Sequence, residues 1–300
     1  MASIQLRLED PGAPDFAPRV VDILNSTIPP DASTTPDEAA AAFNSLLQEN
    51  YVETDGASDF LWWFWDLMHD LSRQIPYNST EAERLANTLQ ALQNLPVRTV
   101  RLGDSWGVGS TVEIWTDLPM FCSTYGEALD NDPRAPNEVE AKRRYVNLQA
   151  YAARVAGLGL INANAWSAWA LWSIVDALEG TMTPIRGAPD EINEDPAAVE
   201  DIAYKVKSAA AWVVLAGNYL YGRDEVVDGA TAGPLWRLEK KEAIKLRKKT
   251  RGTDGFCPER WNLWKDRFGV IRDCDKLERD VRNEAQYAYT AMEVVEKLHS

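Results

Sequence analysis

Apolar residues recur every three or four positions along most of this chain, the spacing of helices that bury one face. Thr35-Pro36-Asp37-Glu38 sets a cap residue, a proline and two acids ahead of an alanine-rich run to Tyr51, which reads as a helix start. Ser58 or Asp59 opens a second helix that contains Phe60-Leu61-Trp62-Trp63-Phe64-Trp65, and Pro76 closes it. Asn78-Ser79-Thr80-Glu81 begins another, with Leu85, Leu89, Leu92 and Leu95 on one face up to Pro96. Further helices are predicted from about Asn137 to Gly157 and from Trp166 to Glu179. The clearest period follows Asp195-Pro196, where Val199, Ile202, Val206, Ala209, Val213, Ala216 and Leu220 form a narrow seam, small enough in places for close helix approach. Leu277, Val281, Ala285, Ala288, Met292 and Val295 predict a last helix over about 275–298.

One stretch breaks the helical period. Val97 to Leu102 and Thr111 to Trp115 alternate as short strands around a glycine-rich turn, so a small peripheral β-hairpin is expected near 97–115. The pattern therefore predicts an all-α fold of nine to eleven helices in a single irregular bundle. Residues 1–35 read as an N-terminal segment with one short helix and 36–300 as one helical domain. Loops 180–196 and 222–234, rich in Gly, Pro and acids, are expected to be mobile.

Composition narrows the function classes. The chain has 300 residues and a net charge of -15, which repels phosphate backbones and anionic lipid, so nucleic acid and membrane partners are not expected. No secretory h-region or membrane-length apolar run is present, and a cytoplasmic location is expected. Cys122, Cys257 and Cys274 are odd in number and widely spaced, the pattern of reduced thiols rather than a disulfide or zinc framework. The 12 tryptophans change the picture most. Such rings fill interiors or line ligand clefts, so an aromatic-lined pocket between helices is expected around Trp62, Trp63, Trp65, Trp169, Trp172 and Trp212.

Four polar constellations bear on chemistry. Asp66, His69, Asp70 and Arg73 share a face of the aromatic helix; they read as a solvated charged stripe, with a divalent metal at Asp66, His69 and Asp70 as the alternative. Asn147, Tyr151 and Arg154 form a second row, and an Arg154 to Asp176 ion pair would satisfy two polar groups on apolar helices. Gly103-Asp104-Ser105-Trp106-Gly107 matches the serine-hydrolase elbow formally, but no helix start follows it and the strand-helix alternation of that fold is missing. Trp236 to Arg251 is strongly basic and reads as a solvated helix or a contact to the chain's own acidic surface. No cofactor is expected.

Trp115-Thr116-Asp117-Leu118-Pro119, Tyr145 to Arg154, Ala168-Trp169-Ala170-Leu171-Trp172 with Asp176-Ala177-Leu178-Glu179, Ala210-Ala211-Trp212-Val213, and Gly255 to Phe268 resemble, in order, the blocks of a fungal family of proteins of unknown function. The resemblance runs from about Gly56 to the end. It implies an intracellular, mostly helical fungal protein and carries no catalytic residues. Arg154, Asp176, Glu259, Arg260, Trp261, Trp264, Lys265 and Arg267 fall inside the blocks and become candidates. Two functions are expected to compete: handling of a small apolar or aromatic molecule, by binding or catalysis, in fungal secondary metabolism; or a noncatalytic protein-protein interaction module, with Glu259 to Phe268 as docking helix. Substrate, reaction and oligomeric state are not legible.

Overall fold

Side-chain caps set where several helices begin. In the computed structural model, which describes residues 4–51, 57–103, 111–130, 132–228, 232–237 and 254–300 apart from the Ala163 side chain, Thr35 and Glu38 form a reciprocal capping box at the start of α2 (Pro36–Glu49). Ser79 caps α4 (Thr80–Gln93), Asn137 caps α6 (Glu138–Gly157) and Asn162 caps α7 (Ala163–Leu178). The remaining helices are α1 (Ala17–Thr27), α3 (Ser58–Arg73), α5 (Phe121–Asp130), α8 (Ile202–Leu220), α9 (Pro258–Arg272) and α10 (Arg279–Leu298). The fold is thus mostly α, with ten α-helices of described bounds. Two boundaries differ from the periodicity. Residues 196–198 form a 3-10 turn and Asp201 takes a left-handed backbone, so α8 starts at Ile202 and Val199 lies before it. Leu277 likewise precedes α10.

The chain divides into two compact units, Met1–Ile161 and Asn162–Ser300. In the first, α3 packs on α5 and α6, and α2 packs on α1 and α4. The expected hairpin is present: β1 (Arg98–Arg101) pairs antiparallel with β2 (Thr111–Ile114), Val100 opposite Val112. It is less peripheral than its length suggests. Val100, Leu102, Ile114 and Trp115 are buried, and the hairpin reaches α3 through the Ala57 N–H on the Arg101 carbonyl (3.2 Å) and the Gly103 N–H on Ser58 Oγ (2.7 Å).

In the second unit α8 lies between α7 and α10, and α9 packs on both α7 and α10. Ala209, Val213 and Ala216 are buried on α8, as the small-residue seam predicts. The stretch after α7 is not irregular throughout: β3 (Thr181–Thr183) and β4 (Glu191–Asn193) form a second antiparallel pair. Cys122, Cys257 and Cys274 are free thiols. Among the described residues, no helix is long and apolar enough to cross a membrane.

Candidate functional site

Among the described residues, a buried polar centre is found in each unit. That of the first unit grows out of the aromatic run on α3. Phe60 and Phe64 stack at 5.6 Å, and Phe64 meets Phe43 of α2 at 5.2 Å. Trp65 packs edge-on against Phe121 at 5.2 Å and gives its indole N–H to the Pro119 carbonyl at 2.8 Å. One turn further, His69 is fully buried, its ring 4.9 Å from Phe121, 5.5 Å from Tyr125 and 5.8 Å from Tyr151 of α6.

Hydrogen bonding assigns the His69 tautomer. Nε2 lies 3.0 Å from Thr124 Oγ1 and 3.3 Å from the Phe121 carbonyl. Thr124 already gives its hydroxyl proton to the carbonyls of Met120 or Phe121, at 3.0 and 3.1 Å. Both neighbours therefore accept, and Nε2 carries the proton. Nδ1 is left as a buried lone pair with no donor, and the Tyr151 hydroxyl is buried with no partner either. Burial pushes the imidazole down to about 3, and raises the phenols of Tyr151 and Tyr125. A neutral His69 accepts hydrogen bonds and does not shuttle protons near neutral pH.

The charged stripe on α3 does not face water as expected. His69 and Arg73 are buried, because α3 packs on α5 and α6 at once and so has two covered faces. Arg73 gives a hydrogen bond to the Ala128 carbonyl and faces Asp132 at 3.6 Å and Asp70 at 3.7 Å. Asp70 also pairs with Arg134, and burial raises the Asp66 carboxyl. Asp70 is thus engaged by two arginines, and no group of three or more His, Cys, Asp or Glu among the described residues is placed to hold a metal.

The row on α6 divides its work. Tyr151 joins the His69 centre, while Asn147 clamps the turn after α3 by giving to the Arg73 carbonyl at 2.7 Å and accepting from the Tyr77 N–H at 3.0 Å. Arg154 gives to the Tyr77 carbonyl at 3.0 Å. Arg154 belongs to the first unit and Asp176 to the second, where the exposed Asp176 has Lys205 as its charged neighbour.

The second centre is an ion pair with no exposed atoms. Glu179, capping α7, accepts from Arg260 Nε at 2.6 Å and Nη2 at 3.1 Å, from Trp264 Nε1 at 2.7 Å, and from the Gly233 N–H at 2.7 Å. Arg260 Nη1 reaches the Gly255 carbonyl at 2.7 Å. Gly233 is required there, since a Cβ would come within 2.4 Å of Glu179 Cβ. Arg267 adds bonds to the carbonyls of Leu178 (3.0 Å) and Glu194 (2.7 Å), and Trp261 and Lys265 share the Glu296 carboxylate of α10. Glu179 escaped the sequence reading as a site residue, although it ends the Asp176-Ala177-Leu178-Glu179 block. An acid closing an apolar helix, with Arg260 in the next tryptophan block, was the available signal. Every polar group of this pair is answered, which marks it as a brace.

The tryptophans of the expected pocket fall in both units. Trp65 and Trp212 are fully buried, Trp212 stacking on Trp166 at 5.6 Å, and Trp169 is buried. Trp62 is half-buried, whereas Trp63 (37%) and Trp172 (42%) are exposed. The serine-elbow residues 104–107 and the basic stretch from 238 to 251 lie outside the described residues. Trp236, at the start of that stretch, is buried beside Arg260.

No curated protein and no solved structure matches the chain. A family model does, described as Protein of unknown function (DUF3632), over residues 65–268, a span that begins at Trp65 of the aromatic run and takes in both buried centres. With more than half of its length matched, the chain belongs to this family of proteins of unknown function.

Proposed function

We propose that this protein binds a small, mainly apolar or aromatic molecule carrying a hydroxyl group, at the His69 and Tyr151 centre of the first unit. The observation that supports this reading is the pair of orphaned polar atoms there. Buried polar atoms almost always have partners, and each one left without costs about 1–3 kcal/mol. His69 Nδ1 needs a donor and the Tyr151 hydroxyl lacks any partner. A hydroxyl that donates to the first and accepts from the second answers both, and the rings of Phe121 and Tyr125 supply apolar wall. The neutrality of His69 favours binding over acid-base catalysis. The family resemblance supports a cytoplasmic, fungal setting, and secondary metabolism by association.

The experiment is native mass spectrometry of the protein from a fungal host beside its denatured mass. A reproducible organic adduct in wild type, weakened in Tyr151→Phe while the melting curve is kept, is the expected result. A bare mass in every preparation overturns the reading.

The second reading is a noncatalytic interaction module. It is favoured by Tyr287, Val294 and Leu298, exposed at helical spacing along one face of α10. A bare mass together with loss of a co-purifying protein in Val294→Asp would shift the assignment to it.

A further inference from the structure

Residues 6–10 form neither helix nor strand, yet they are gripped along their length. The Asn25 carboxamide of α1 accepts from the Leu6 N–H at 2.8 Å and donates to the Leu6 carbonyl at 3.0 Å. Gln74, just past α3, does the same to Arg7, both bonds at 2.9 Å. A carboxamide that donates and accepts at one residue imitates a rung of a β-ladder. Successive residues of an extended chain present their backbone groups to opposite sides, so one amide holds the segment from the α1 side and the other from the end of α3.

Side chains add selectivity. Leu6 is buried. Glu9 forks onto Arg144 at 2.8 and 3.2 Å, and Asp10 meets Arg134 at 2.8 Å. Both arginines keep a second acid of the unit's body, Asp132 for Arg144 and Asp70 for Arg134, so they stay placed without the segment. Next comes Pro11-Gly12-Ala13-Pro14, a turn before α1, where the Gly12 N–H bonds Asp10 Oδ1 at 2.8 Å.

We propose that this is a peptide groove filled in cis by the chain's own residues 6–10, and that the same residues of a second copy take their place, so that two chains pair by exchanging segments. The occupant follows from the fit: backbone read by two amides, one buried leucine, and a Glu-Asp pair answered by two arginines. Exchange of an identical element between copies is a low-cost route to a dimer. This proposal is independent of the His69 and Tyr151 reading, since none of the groove's bonds involves either residue.

The test uses the full chain and a labelled peptide of residues 4–12. Anisotropy is expected to rise on binding, and light scattering to show a dimer at high concentration that excess peptide dissolves. A peptide with Gln and Asn at the two acidic positions is expected to bind about tenfold more weakly or worse, since two charge-assisted bonds are lost. This substitution leaves the protein untouched, so misfolding cannot imitate the result. Gln74→Ala, which removes a clip near the surface, is expected to lower affinity for the unaltered peptide. Absence of peptide binding overturns the proposal, and so does a dimer that peptide does not dissolve.

Discussion

His69 shows how one residue's surroundings decide its chemistry. On paper it stands between two aspartates on a helix, the arrangement of a metal or acid-base site. In the fold its neighbours are rings, Thr124 and a carbonyl, and Asp70 is paired with Arg73 and Arg134. Its pKa falls from 6.5 to about 3, and the main cause is burial. Between those values the unfolded chain binds a proton that the folded chain refuses, so stability rises with pH across the window and is lost as acid is added. The slope contributed is at most about 1.4 kcal/mol per pH unit. Urea denaturation between about pH 6.5 and 5, above the range where most carboxylates titrate, is expected to show this slope in wild type and a flatter line in His69→Gln. Asp66 acts in the opposite sense above the ordinary aspartate value, because burial raises its carboxyl and the folded state then holds the proton more tightly.

Among elements, helices were legible because their signals are local. The Thr35 cap, the stop before Pro76, the small-residue seam of α8 from Ile202 onward and the Val97 to Trp115 alternation are each read within a few residues, and each is found in place. What joins the elements was not legible in the same way. Glu179 is 81 residues from Arg260 along the chain, and nothing near either position names its partner. Their pairing clasps the end of α7 to α9. Removing one member leaves the other charged and dry, so Glu179→Gln or Arg260→Met is expected to cost about 3–5 kcal/mol by chemical denaturation. The double change Glu179→Leu with Arg260→Met is expected to cost less than the sum of the two single losses by at least about 1 kcal/mol, because no lone charge remains. Simple additivity would show that the pair does not act as a unit.

For the whole molecule, the tryptophans posed the question of pocket against core. Trp65, Trp115, Trp166, Trp212 and Trp264 are among the largest fully buried side chains, and the indole N–H groups of Trp65, Trp115 and Trp264 are given to internal acceptors. Among the described indoles, Trp63 and Trp172 are the exposed ones. Iodide is therefore expected to quench a minor part of the fluorescence, and the double variant Trp63→Phe with Trp172→Phe to lose most of that part. Strong quenching that survives the double change would mean that solvent reaches the buried rings, as an open aromatic cleft requires.

By itself the sequence determined what depends on neighbours a turn or two away: helix faces, caps, strand alternation, and a net charge of -15. It also carried membership of a family of unknown function, whose match over residues 65–268 needs no knowledge of contacts. Only the tertiary structure decided which polar residues were buried and with whom. Burial depends on how many faces of a helix are covered, and α3, covered on two, turned an apparent charged stripe into the buried His69 centre. The grip on residues 6–10 was equally out of reach, since Asn25 and Gln74 become backbone clips only when α1 and the end of α3 lie on either side of an extended segment. Local patterns set which surfaces exist, and the packing of distant segments set the chemistry between them.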